Sequence, residues 1–147
     1  MTALSELLEQ DNTRQQIISD CVSLVETEIG RKSGLTGIAI KTAFTLVNKV
    51  DPRFVQLAIS SLIDEFINAM NPLYTSYKEA GCHDLKSYWI QEKTTLANSL
   101  LSVADIRMSR AKNKVLKKAY SKLRPSGLKH VEESVPGIAD VVSKYVS

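Results

Sequence analysis

The most informative segment of this chain is the sequence DPRFVQLAISSLIDEFINAM, which occupies residues 51–70. Proline at the first position of a helix loses only an amide that would have no partner, so Asp51-Pro52 predicts a helix start. Apolar residues then cover most of the helix circumference, and the narrow polar stripe that remains consists of Gln56, Ser60, Asp64 and Asn68. A helix that is apolar on nearly all sides is buried. We therefore expect this helix to lie at the centre of an all-α protein.

The segments on both sides of residues 51–70 also repeat apolar residues every three or four positions, which is typical of amphipathic helices. Their capping residues, glycines and prolines predict helices over 11–30, from a cap at Thr36 to Val50, from Pro72 to Gly81, over about 113–123, and in two short pieces bounded by Pro125 and Pro136. They also predict one long helix from a cap at Asp84 to about Met108, with fraying at Thr94-Thr95. No six-residue stretch alternates as a half-buried strand would. The sequence predicts a single all-α domain over 1–147, a compact bundle of about seven or eight helices, several of them short, with irregular or orthogonal packing.

Length and composition are those of one globular domain. The chain has 147 residues, of which 44% are hydrophobic and 24% are charged, and this is enough to bury a core. The first residues lack the features of a secretory signal, and no run of about 18 apolar residues is free of charge. Cys21 and Cys82 match no metal or redox spacing. We expect a cytoplasmic protein that does not span a membrane.

Charge is distributed unevenly, although the net charge is only +3. Residues 1–30 contain six acids and one base, whereas residues 107–131 contain nine bases and no acid. A basic helical face can neutralise the phosphates of a nucleic acid or bind anionic head groups. The candidate polyanion-binding residues are Arg107, Arg110, Lys114, Lys117, Lys118, Lys122, Arg124 and Lys129. The alternative is a solvated helix face that pairs with the acidic first helices.

No motif predicts catalysis, a metal or a cofactor. The turn GRKSGLTG at 30–37 differs from a Walker A loop because no glycine directly precedes its Lys-Ser pair. Glu79 and His83 have helical spacing beside Cys82, but a metal centre needs further ligands. A Cys82 nucleophile with His130 as its base has no local support. We therefore expect no catalytic residue, no metal ligand and no cofactor.

Three functional hypotheses follow from these observations. The first is a non-enzymatic cytoplasmic binding or protein-interaction module, which acts on an unknown protein partner or by self-association and would show an exposed apolar patch or a stable oligomer. The alternative is binding of nucleic acid or another polyanion through the basic helices of 107–131, whose residues should then form one continuous surface. An enzyme is the third, and it requires a pocket that gathers Cys82, His83, Asp64 or His130.

Three stretches of the chain carry a resemblance to a known group of proteins. KTAFTLVNKVDP at 41–52, KKAYSKLRPS at 117–126 and HVEESVP at 130–136, with the helix spacing around them, are similar to a family of small, uncharacterised, all-helical bacterial proteins. The resemblance covers most of the chain. It implies a bacterial cytoplasmic setting, and it assigns no catalytic or binding residue.

Overall fold

A computed structural model describes residues 3–146 of the chain. The structure contains seven α-helices, which are α1 (Asp11–Arg31), α2 (Gly34–Val50), α3 (Phe54–Glu79), α4 (Leu85–Gln91), α5 (Lys93–Ser109), α6 (Lys114–Leu123) and α7 (Gly127–Val146). Short 3-10 helices precede α1 and α7, at Leu4–Leu8 and Arg124–Ser126. Six of the α-helices have ten or more residues and α4 has only seven, so the bundle has six main helices rather than the predicted seven or eight. The predicted all-α class is confirmed, since no strand occurs within 3–146.

Two predicted helix boundaries at proline are wrong. α3 continues through Pro72, and α7 continues through Pro136. A proline inside a helix removes one backbone hydrogen bond and disfavours the helix locally. However, the apolar face of each helix remains in the core beyond its proline, as the buried Tyr74 and the fully buried Ala139 show. Packing on both sides of each proline therefore outweighs the local preference, and three predicted short helices become parts of two longer ones.

The start of α3 also differs from the prediction. The helix begins at Phe54 rather than Pro52, and Pro52 lies in the turn before it. The carboxylate of Asp51 accepts a hydrogen bond from the amide of Arg53 at 2.8 Å. This local bond stabilises a turn, which delays the helix by two residues. Beyond it, the predicted polar stripe of α3 is largely exposed, whereas its apolar residues are buried or half-buried except Leu57, which is 46% exposed.

Glycines shorten the connection between α1 and α2. α2 begins at Gly34 rather than after a cap at Thr36. Gly34 has a φ of 71°, which glycine adopts at little cost. Gly37 lies so close to the preceding loop that a Cβ there would be 2.6 Å from the carbonyl carbon of Lys32. The predicted eight-residue turn is therefore a two-residue reversal.

The long helix predicted from the cap at Asp84 to about Met108 is two helices in the structure. Asp84 caps α4 as predicted, because its carboxylate accepts a hydrogen bond from the amide of Lys86 at 3.2 Å. The backbone of Glu92 leaves the helical region, with φ −101° and ψ 22°, and separates α4 from α5. The β-branched residues Thr94 and Thr95 at the start of α5 favour a helix weakly, which is consistent with a break there.

Buried side chains form two separate clusters. The larger one contains 16 residues of the first 3-10 helix and of α1, α3, α4, α5 and α7, and we call these five α-helices the five-helix body. The smaller one contains only Ala43 and Val47 of α2 and Ala119 of α6. These two helices pack against each other, and we call them the α2–α6 pair. The protein thus has a large core and a separate two-helix layer beside it.

Candidate functional site

A cavity of about 410 Å³ lies between the α2–α6 pair and the five-helix body. Ile40 and Phe44 of α2 and Leu123 of α6 line one side of it. Aliphatic side chains of α1, α3, α5 and α7 line the other side, and nearly all of the wall is apolar. Protein interiors rarely contain voids larger than a water molecule, whereas small-molecule sites have volumes of roughly 300–1,000 Å³. The cavity therefore has the size and character of a ligand site.

The cavity follows from the way in which α2 uses its two sides. Ala43 and Val47 of α2 pack on Ala119 of α6, so these helices meet through small side chains. Ile40 and Phe44 lie further round α2 and reach the cavity. Because α2 and α6 pack against each other through these small side chains, their larger side chains do not fill the space between the α2–α6 pair and the five-helix body.

His130 places an unpaired polar group in the cavity wall. Both nitrogens of its ring are buried, and neither has a hydrogen-bond partner among the residues that the structure describes. The nearest acid is Glu133, whose Oε1 lies 3.5 Å from Nδ1 of His130. A buried polar group without a partner costs about 1–3 kcal/mol, so such groups are rare without a functional reason.

Charged residues stand close to His130. Lys32 lines the cavity, and its Nζ donates a hydrogen bond of 2.9 Å to the same Oε1 of Glu133. This ammonium group holds the pKa of Glu133 below its usual value. Glu28 also lines the cavity and is only 8% exposed, with the guanidinium of Arg31 3.8 Å away. One part of an otherwise apolar cavity is therefore polar.

A second cluster of polar side chains at the cavity consists of Asp105, Tyr120 and Arg124, which form hydrogen bonds with one another. Arg124 donates two hydrogen bonds to the carboxylate of Asp105, at 2.9 and 3.1 Å, and the hydroxyl of Tyr120 donates a third. The bonds from Arg124 and then Tyr120 lower the pKa of Asp105. Burial and the Asp105 carboxylate raise the pKa of Tyr120 well above its usual value. These bonds connect α5 of the five-helix body to α6 and to the turn that follows it.

The four residues that an enzyme would need in one pocket do not lie together in the structure. Of Cys82, His83, Asp64 and His130, only His130 lines the cavity. Asp64 binds Arg14 at 2.7 Å, and Cys82 is exposed in the loop after α3. The other cysteine, Cys21, lines the cavity, but burial and then Asp20 raise the pKa of its thiol to about 11. No group of three His, Cys, Asp or Glu residues within 3–146 has the arrangement of a metal site.

The predicted polyanion-binding residues have two different environments. Arg107 donates to the hydroxyl of Ser61 at 2.5 Å and to Glu65 at 3.3 Å, and Arg124 is held by Asp105. The others are exposed and form no ion pair within the described chain; these are Arg110, Lys114, Lys117, Lys118, Lys122 and Lys129. Two acids of α1 pair elsewhere, Asp20 with Lys144 and Glu28 with Arg31. The assignment of these residues to a polyanion stays a prediction.

Nearly the whole chain matches one family of known sequences. A family model described as a family of unknown function matches residues 4–146. The chain belongs to this family, DUF6918. No curated protein and no solved structure matches the chain. The resemblance to an uncharacterised family is thus confirmed, and DUF6918 membership supplies no activity. Of the helices described here, none combines the length and the hydrophobicity that crossing a bilayer requires.

The cavity was not predicted from the sequence of this DUF6918 chain, although one signal for it was present. α2 carries apolar residues all around its circumference, including Ile38 and Leu46 on one side and Ile40 and Phe44 on the other. A single buried face cannot accommodate all of them. The excess indicates that α2 contacts something besides α6 and the core.

Proposed function

We propose that this protein is a non-enzymatic cytoplasmic binding module whose ligand is a small amphiphile with an apolar chain and a carboxylate head, of the fatty-acid class. The observation that carries the proposal is the apolar cavity of about 410 Å³ with the unpaired imidazole of His130 in its wall. The cytoplasmic setting is supported by the two free cysteines, because reducing compartments keep thiols unpaired.

The volume of the cavity supports an occupant. The cavity of about 410 Å³ is partly open to solvent, so its apolar wall contacts water when the cavity holds no ligand. An apolar chain in the cavity would remove this wall and its own surface from water, which is favourable by about 25 cal/mol per Å² of apolar surface.

The position of His130 supports a carboxylate head group. An imidazole ring donates or accepts a hydrogen bond at each nitrogen, and a carboxylic acid or carboxylate can satisfy it. Lys32 offsets the negative charge of Glu133 beside His130, so this acid repels a carboxylate head group less strongly. In contrast, the Cys21 thiol is a poor nucleophile because its raised pKa keeps it protonated. The residues of the cavity therefore favour binding over catalysis.

The first experiment is a fluorescence titration with dansylaminoundecanoic acid. We expect saturable one-to-one binding with a blue-shifted emission. Ala104 lines the cavity, so Ala104→Phe should weaken binding at least tenfold while thermal stability is kept or increased. The matched control is Ala80→Phe at the exposed C-terminal end of α3, which should bind like the wild type. Absence of saturable binding, or equal binding by Ala104→Phe, contradicts the proposal.

The head group is tested by competition between lauric acid and lauryl alcohol for the same probe. His130→Phe should weaken competition by the acid roughly tenfold, the value of a hydrogen bond to a charged group, and leave the alcohol nearly unaffected. His83→Phe changes the other histidine, which is exposed in the loop after α3, and should affect neither competitor. Equal losses for acid and alcohol would show that His130 only shapes the cavity.

A further inference from the structure

The outer side of α2 is apolar and uncovered. Leu35 is 88% exposed, Ile38 63%, Leu46 43% and Val50 50%. Their spacing places them on one side of the helix, because successive separations of three, eight and four residues stay within about a third of the circumference. Ile40 and Phe44, which reach the cavity, lie on the opposite side. We call the four exposed residues the α2 stripe.

The helix beside the stripe is strongly basic. α6 carries Lys114, Lys117, Lys118 and Lys122, all exposed. α2 adds Lys41 and Lys49, and neither helix contains an acidic residue. The α2–α6 pair therefore carries a charge of +6, whereas the rest of the chain carries −3 because the net charge is +3. Charge and exposed apolar surface are thus concentrated in the same two helices.

We propose that the outer face of the α2–α6 pair docks reversibly on an anionic lipid bilayer. The α2 stripe enters the boundary between head groups and acyl chains, and the lysines of α6 contact the anionic head groups. Interfacial helices combine an apolar face with lysine or arginine in this way, and each such residue near the surface contributes to the attraction. The inference goes beyond the proposed ligand and does not depend on it, since the surface lies outside the cavity.

Other occupants of this surface fit less well. A second copy of the chain would place six lysines against six lysines, with no acid in either pair of helices to compensate them. A nucleic acid offers phosphates to the lysines, but it leaves the α2 stripe in water. A bilayer with anionic lipids supplies both the negative charge and the apolar medium, so it matches both features.

The test is cosedimentation of the whole chain with vesicles of phosphatidylcholine alone or of equal parts phosphatidylcholine and phosphatidylglycerol. We expect binding only to the anionic vesicles and a loss of binding as salt is raised. Lys117→Gln with Lys118→Gln should reduce partitioning roughly thirty-fold. Its matched control is Lys93→Gln with Lys144→Gln, which makes the same change of charge at exposed sites outside the pair and outside the predicted polyanion-binding residues, and should have little effect.

The apolar contribution is tested separately with Ile38→Gln. We expect this variant to lose several-fold in binding to anionic vesicles, whereas Ile90→Gln on α4 should bind like the wild type. Ala104→Phe should also bind vesicles normally, so failure of the cavity proposal would not affect this result.

Three outcomes would overturn the docking proposal. The first is no vesicle binding at low salt. The second is binding of labelled duplex DNA that is insensitive to Ile38→Gln, without vesicle binding. The third is a stable dimer in light scattering that Ile38→Gln dissociates.

Discussion

The five-helix body and the α2–α6 pair differ in the size of their buried cores. The core of the body includes Trp89, Leu96 and Val135, all without solvent exposure, among 16 buried residues. The core of the pair has three small buried residues. Regions with few buried contacts open at lower free energy than the core does. Stability therefore resides in the body, and we expect the pair to open over the cavity without global unfolding.

The largest expected effect is loss of the Trp89 side chain. Trp89→Ala should destabilise the protein by about 3–5 kcal/mol, because it removes a fully buried ring. It also leaves the carbonyl of Leu73 without the indole hydrogen bond of 3.3 Å. Val47→Ala in the core of the pair should cost only about 1–2 kcal/mol.

The measurement is urea unfolding followed by far-ultraviolet circular dichroism, which does not rely on tryptophan fluorescence. Equal losses for the two variants would show that the pair and the body form one cooperative core.

The next largest effect concerns the two cysteines. Because the pKa of Cys21 is raised to about 11, only about one molecule in a thousand has the thiolate at pH 8, and it lines the cavity beneath the pair. Cys82 is exposed. Reaction of Cys21 with a disulfide reagent should therefore be at least about 100-fold slower than reaction of Cys82.

The two reaction rates are measured separately in the Cys82→Ser and Cys21→Ser variants, each of which leaves one thiol. The rate of Cys21 should rise about tenfold per pH unit towards pH 11 and fall when lauric acid is added. The rate of Cys82 should not respond to lauric acid. Similar rates for both thiols, or no protection of Cys21, would contradict both its burial and the ligand site.

The two regions also differ in how far the sequence predicts them. Helices of the body follow from apolar periodicity, and the cap at Asp84 follows from local chemistry, so these could be predicted. The helix boundaries predicted at Pro72 and Pro136 were wrong, because burial on both sides of each proline is a tertiary effect that the local sequence does not show. The cavity depends on the gap that small side chains leave between two layers. The apolar circumference of α2 indicates an additional contact, but it gives neither the position nor the size of such a gap, and the unpaired state of His130 is visible only in three dimensions.

The smallest expected effect comes from the link between the two regions. Asp105 of the body holds Tyr120 and Arg124, and its side chain is 41% exposed. Solvent screening limits such a group, so Asp105→Asn should cost less than about 1 kcal/mol in global stability. The hydrogen bonds of Arg124 and Tyr120 lower the pKa of Asp105 in the folded protein below the ordinary value of 3.8.

The lowered pKa determines the sign of the pH dependence. A carboxyl group with a lower pKa in the folded state stabilises that state above its unfolded pKa. Its contribution is lost as the pH falls below about 3.8 through the folded pKa. The difference in stability between the wild type and Asp105→Asn should therefore be constant between about pH 5 and 7 and shrink at about pH 3.

Asp105→Asn should also favour opening of the pair. We expect hydrogen exchange in α6 and labelling of Cys21 to become several-fold faster, because the variant weakens a link between α5 and α6 without changing the core of the body. Asp140→Asn removes a comparable surface ion pair with Lys86 inside the body and should leave both rates unchanged. If both variants accelerated labelling equally, opening would be a property of the whole fold. If only Asp105→Asn does so, the α2–α6 pair moves on its own over the cavity and widens the path by which a ligand enters.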